Sequence, residues 1–188
     1  MKIIVPIGPP GGGKGTQSTK IAETYGYQHL STGDIFRSLL KQSKNPLAIT
    51  VKQITERGDL VPDDIAVQVV KDFLQQQSQL GNKRFILDGF PRTLAQYHIS
   101  KVLFADYDVH YIYFDVDEEE LINRLIERAQ KEERADDEKD VITHRLSVYK
   151  DLTEPILKEL GTSLYTIYST GKSIEEVWTE VETIVCLI

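Results

Sequence analysis

The sequence predicts an α/β protein: a doubly wound parallel sheet of five strands flanked by helices. Three observations carry that prediction. Short β-type runs alternate with helical stretches along the whole chain. The runs at residues 3–7 and 85–87 are continuously apolar, as strands buried on both faces of a parallel sheet are. The first run leads directly into a glycine-rich loop and then a helical pattern, an order that places a site at the carboxyl ends of the strands.

Strands are predicted at 3–7, 85–87, 109–114 and 164–168, with a weaker one at 27–30. Helices are predicted at 14–24, 34–41, 47–57, 63–76, 93–102, 117–132, 140–160 and 174–184. Pro6 lacks a ladder donor and fits a central strand badly, but it stands one residue before that strand's predicted end. No linker or repeat divides the 188 residues, so 1–188 is expected to form a single domain. At that length roughly 70% of the unfolded surface can be buried around one core. The charged stretch "QKEERADDEKD" reads as a solvated helix–loop–helix.

Charge and composition exclude several functions. A net charge of −7 argues against nucleic-acid or membrane-surface partners, which attract basic chains. No apolar run approaches the ~20 residues of a membrane span, and "MKIIVPIG" lacks the layout of a signal peptide. Cys186 is the single cysteine, and no Cys/His spacing suggests structural zinc. A cytoplasmic protein is expected, with no metal except one carried in by a ligand.

"GPPGGGKGTQ" (residues 8–17) places five of the chain's 12 glycines in eight positions. Gly8, Gly13 and Lys14 follow the spacing G-x-x-x-x-G-K. Such a loop wraps phosphates with backbone N–H groups, a lysine and the positive end of the next helix. The Ser or Thr usual after the lysine is replaced by Gly15, and Thr16 follows. The alternative is a flexible turn, but the strand before it and the helical pattern after it favour a polyphosphate site. Asp88 ends the apolar run of "RFILDGFPR", where a carboxylate can hold the water shell of Mg²⁺ beside phosphates. Taken alone, "LDG" reads equally well as a turn. Asp34 serves either as a helix cap or in a similar outer role.

Arg124 and Arg128 stand four apart, so they share a helix face. Alone they read as part of a solvated ladder with Glu120 and Glu132. No general base is evident. His29, His98, His110 and His144 have no triad or metal spacing and read as structural or surface residues. A phosphate oxygen needs no base when it attacks, because its second pKa is near ~6.

Six motifs in order resemble the adenylate kinases among the nucleoside monophosphate kinases. They are "GPPGGGKGTQ", "LSTGDIFR", "GDLVPDD", "FILDGFPRTLAQ", "RADDEKDVITHRLSVY" and "GKSIEEV". The resemblance runs nearly end to end and implies transfer of a phosphoryl group from Mg-bound ATP to AMP, giving two ADP. It implies a helical AMP-binding insertion at 31–60, a short lid at 125–135, a monomer, and Mg²⁺ arriving with ATP. By resemblance, ATP is held by Gly11, Gly12, Gly13, Lys14, Gly15, Thr16, Arg124, Arg128 and Lys172. AMP is held by Thr32, Arg37, Leu60, Val61, Gly89, Arg92, Gln96, Arg134 and Arg145. Lys14, Arg92, Arg124, Arg128, Arg134 and Arg145 are the implied catalytic cations, and Asp88 holds magnesium through water.

Thr32, Thr93 and Gln96 follow the adenylate pattern rather than that of the related pyrimidine kinases. Gln96 carries the donor and acceptor that adenine needs. Short-lid relatives often have glycine before the arginine that Arg134 matches, where this chain has Glu132–Glu133. A UMP/CMP kinase on the same fold and a nucleotide sensor without catalysis remain the rival readings.

Overall fold

The computed structural model describes residues 1–40, 46–132 and 139–188. Five strands, β1 (Lys2–Ile7), β2 (Gln28–Ser31), β3 (Arg84–Asp88), β4 (Asp108–Asp115) and β5 (Leu164–Tyr168), form one sheet in the order β2-β3-β1-β4-β5. Every neighbouring pair is parallel, as the alternating pattern predicts. Around it lie α1 (Lys14–Tyr25), α2 (Thr32–Leu40), α3 (Pro46–Glu56), α4 (Asp63–Gln79), α5 (Leu94–Leu103), α6 (Glu118–Glu132), α7 (Lys139–Val148), α8 (Pro155–Leu160) and α9 (Ile174–Leu187).

Alternation along the strands sorts the core into two layers. Ile3, Val5, Ile7, Phe85 and Leu87 face one side, with Val67, Val70 and Leu74 of α4, Tyr97 of α5 and Ile156 of α8. Ile4, Ile86, Ile112, Phe114 and Ile167 face the other, with Ile21 of α1 and Val177, Val181 and Val185 of α9. A smaller cluster joins Leu121 and Leu125 of α6 to Ile142 and Leu146 of α7. Each fully buried aliphatic or aromatic side chain contributes roughly 1.5–3 kcal/mol. The two-sided burial of β1 and β3 explains why their sequences show no polar alternation. Among the described residues no helix is long and apolar enough to cross a membrane.

Pro6 is accommodated by the end of one ladder. Lys2 donates its N–H to Lys83, on the β3 side, so the missing donor two steps of two residues later also faces β3. Pairing with β3 stops at Ile4↔Ile86, whereas pairing with β4 continues through Ile7↔Tyr113.

The helix predicted at 140–160 is broken. A π-type turn occupies Tyr149–Thr153, and Glu154 N donates to Tyr149 O across five residues. Pro155 lacks the N–H that would continue the ladder and opens α8 instead. Within the predicted arm at 31–60, residues 41–45 lie outside the described set, as do residues 133–135 of the predicted lid at 125–135 and the three that follow them.

Candidate active site

A cleft of about 780 Å³ opens at the carboxyl ends of β1, β2 and β3. One wall is the loop between β1 and α1, and α1 starts there at Lys14 with no side chain capping it. By contrast, Thr93 caps α5, and Ser173 with Glu176 forms a capping box on α9. The first amides of α1 are therefore left to a ligand, and with the helix dipole they favour an anion.

Lys14 is half-buried, its Nζ donating to Gly8 O at 2.8 Å and Pro9 O at 2.7 Å. Enclosure pushes its pKa down to about 7, helped by repulsion from Arg92, Arg145 and Arg128 and opposed by Asp88. Burial pushes the Asp88 carboxyl upward, but His29, Lys14 and Arg92 together hold it below its ordinary range. His29 Nε2 stands 3.8 Å from Asp88 Oδ2, beyond hydrogen-bond distance. A Cβ on Gly15 would lie only 3.4 Å from Asp88 Oδ2, so the ionised carboxylate faces the start of α1 closely. Among the described residues no three His, Cys, Asp or Glu side chains converge. That chemistry fits magnesium held mostly by phosphate and water, with one carboxylate steering its water shell.

A second cavity of about 560 Å³ adjoins the first, and Arg37, Arg92 and Arg145 line both. Arg37 pairs with Asp34 at 2.6 Å. Arg92 is braced from both ends: its Nε donates to Gly89 O at 3.0 Å, and its carbonyl accepts from Thr153 Oγ1 at 2.7 Å. Thr32 is buried and donates to Gly89 O at 3.0 Å, joining β2's end to the loop after β3. Gln96 is also buried, and its amide lies in a network. Oε1 accepts Arg92 N–H at 2.7 Å, and Nε2 donates to Asp63 Oδ1 at 2.8 Å. On the first cavity's far wall, Arg124 binds Glu120 and donates to Ser169 O at 2.9 Å, while Lys172 pairs with Glu180. Glu120 in turn accepts from Gly171 N at 2.7 Å, tying α6 to the loop before α9.

The residues that the sequence singles out converge. Gly11, Gly12, Gly13, Lys14, Gly15 and Thr16 line the first cavity, as do Asp88, Arg124, Arg128 and Lys172. Thr32, Val61 and Gln96 line the second, and Leu60 and Gly89 line both. Arg134 lies outside the described residues. His29, read as a structural or surface residue from sequence, lines the first cavity beside Asp88. Thr153 and Asp63 also go unnoticed, because their roles arise only when distant segments meet.

A parallel sheet with a phosphate loop after its first strand and paired cationic cavities defines a P-loop nucleotide kinase. A family model described as adenylate kinase matches residues 6–163. The chain is 40% identical over 157 residues to an adenylate kinase of Thermus thermophilus, covering 82% of this chain and 80% of that one. It is 43% identical over 155 residues to an adenylate kinase of Kocuria rhizophila, covering 80% of each. It is 38% identical over 178 residues to one of Corynebacterium diphtheriae, covering 93% of each. The chain belongs to the adenylate kinase family and is a nucleoside monophosphate kinase, a phosphotransferase.

Proposed function

We propose that the two adjoining cavities hold ATP and AMP end to end, so that the terminal phosphoryl group passes between them and yields two ADP. The observation that carries this reading is the shared wall: Arg37, Arg92 and Arg145 border both cavities. Forked guanidiniums bond phosphate oxygens in pairs, and the boundary between two nucleotides is where charge shifts during transfer.

In this reading Lys14 and the amides of Gly11, Gly12, Gly13, Gly15 and Thr16 hold the donor phosphates. The donor adenine stacks on Arg124 beside Lys172. Arg37 and Arg92 fix the AMP phosphate, while Arg128, Arg134 and Arg145 neutralise the moving group. Thr32, Leu60, Val61, Gly89 and Gln96 surround the acceptor nucleoside. Asp88 holds magnesium through water, and the ion when bound neutralises phosphate oxygens. No side chain has to take a proton, because the attacking phosphate oxygen is already ionised. The arm at 31–60 and the lid at 125–135 close over the nucleotides and exclude water that would otherwise accept the phosphoryl group. The protein acts as a cytoplasmic monomer, with neither nucleic acid nor membrane as partner.

Competition among AMP, CMP, UMP and GMP as acceptors tests the reading. Preference for a pyrimidine overturns the AMP assignment, and tight AMP binding without ADP formation overturns turnover. Two adenosines joined by five phosphates should bind tightly and block ATP and AMP together.

A further inference from the structure

We infer that Asp63 sets the base specificity of the acceptor cavity by locking the Gln96 amide in one of its two orientations. The inference rests on the AMP reading of the second cavity and names the residue that gives that reading its direction. Gln96 lines this cavity, whereas Asp63, its partner, lines neither cavity.

A glutamine amide is nearly symmetrical in shape but not in chemistry: one end accepts, the other donates, and its partners decide which points where. Here both partners are single-minded. The Arg92 backbone N–H can only donate, and it meets Oε1 at 2.7 Å. The Asp63 carboxylate can only accept, and it meets Nε2 at 2.8 Å. Turning the amide over would set donor against donor and acceptor against acceptor. Water offers no relief, since Gln96 is only 2% exposed.

Asp63 is itself held. The Thr93 hydroxyl donates to its two oxygens at 3.1 and 3.2 Å, and Thr93 Oγ1 also accepts Gln96 N–H at 3.0 Å while capping α5. The first residue of α4 thus fixes the first turn of α5.

With both inner bonds made, Gln96 retains one N–H and one lone pair, in a set order. Adenine offers the complement, a ring-nitrogen acceptor beside an exocyclic amine. Hypoxanthine offers the reverse, a ring N–H beside a carbonyl, and would need the amide turned over. Cytosine shows the same acceptor–amine order as adenine, so the lock does not act against it. Discrimination between AMP and IMP therefore depends on Asp63, and discrimination between AMP and CMP does not.

The variant Asp63→Asn is nearly isosteric, and its amide can accept or donate, so it removes one of the two mismatches that a turned-over Gln96 would meet and leaves only the one at the Arg92 N–H. With ATP saturating, kcat/KM is measured for AMP, IMP and CMP, together with KM for ATP. The AMP/IMP ratio should fall about tenfold, the loss expected when an unmatched buried polar pair no longer opposes the wrong base. The AMP/CMP ratio and KM for ATP should stay within about twofold. In Asp63→Glu the acceptor-only carboxylate persists, and the wild-type AMP/IMP ratio should persist with it even if turnover drops. An unchanged ratio in Asp63→Asn, an equal loss for all three acceptors, or a collapsed ratio in Asp63→Glu overturns the lock. Failure of the underlying reading looks different: wild-type protein would not phosphorylate AMP, or Gln96→Ala would leave acceptor preference untouched.

Discussion

The Lys14 ammonium rests between the carbonyl oxygens of Gly8 and Pro9, 2.8 and 2.7 Å away, in the same loop that leaves α1's first amides uncapped. A donor phosphate entering the loop meets a positioned amine, whose charged form it favours, and aligned donors already in place before the reaction. Replacing Lys14 by Met removes the charge and keeps the bulk. Turnover should fall at least about 10²–10³-fold, the usual loss for one positioned charge-stabilising donor. Circular dichroism should remain near wild type, because the methionine fills the same space, and thermal stability should not fall, because the enclosed charge is gone. Near-normal activity would separate the loop from the reaction.

The same lysine gives a pH dependence whose direction is fixed. Its pKa is about 7 in the folded chain against an ordinary 10.5. Below about pH 7 it is charged folded and unfolded alike, and stability does not vary on its account. Between about 7 and 10.5 the unfolded chain binds a proton that the native one has released. The lysine therefore makes the nucleotide-free protein more stable as pH rises through that window. A bound polyphosphate favours the charged amine and reverses the shift, so at pH 8 binding of the five-phosphate bisubstrate should take up close to one proton. Calorimetry in two buffers of different ionisation enthalpy measures this. Uptake that persists in Lys14→Met would assign the proton to another group.

Arg92 lines both cavities, but its bonds to Gly89 O and, through its backbone, to Gln96 tie it to the acceptor side. Arg92→Ala should raise KM for AMP by about tenfold or more, the cost of a charge-assisted pair to phosphate, and leave KM for ATP within about twofold. Steady-state kinetics with each substrate varied in turn reads the split. An effect confined to ATP would mean that the two cavities are assigned in the wrong order.

Local chemistry made much of this molecule legible. The apolar runs at β1 and β3 report burial on both faces, and the G-x-x-x-x-G-K spacing reports a backbone shape. Both are encoded within a few neighbouring residues. Three features were not encoded that way. Asp63 and Gln96 meet across 33 residues of sequence, and nothing at either position announces the other. His29 stands on β2 and becomes part of the cleft only because β2 pairs with β3, registering Ser31 beside Asp88. The break at Tyr149–Thr153 puts Thr153 Oγ1 on the Arg92 carbonyl, and a helical repeat read through that stretch misses the contact.

Gly89 offers a test of how tightly backbone shape and acceptor binding are joined. Its φ is 86°, and a Cβ there would lie 2.5 Å from Thr32 Oγ1 and 2.7 Å from Arg92 Nη2. Gly26, at the end of α1, has a φ of 70° and nothing within 4 Å of its Cβ position. An alanine at either site carries the left-handed strain of roughly 1–2 kcal/mol. Gly26→Ala should therefore lower the melting temperature by roughly 2–8 °C and leave kinetics unchanged. Gly89→Ala should lose at least as much stability and, because the guanidinium of Arg92 must move aside, raise KM for AMP severalfold with KM for ATP unaltered. If the two variants lose stability alike and neither changes AMP kinetics, the contact between Gly89 and Arg92 is packing without consequence for the acceptor. If Gly89→Ala alone weakens AMP, the tight approach at that glycine is what holds the arginine where the phosphate needs it.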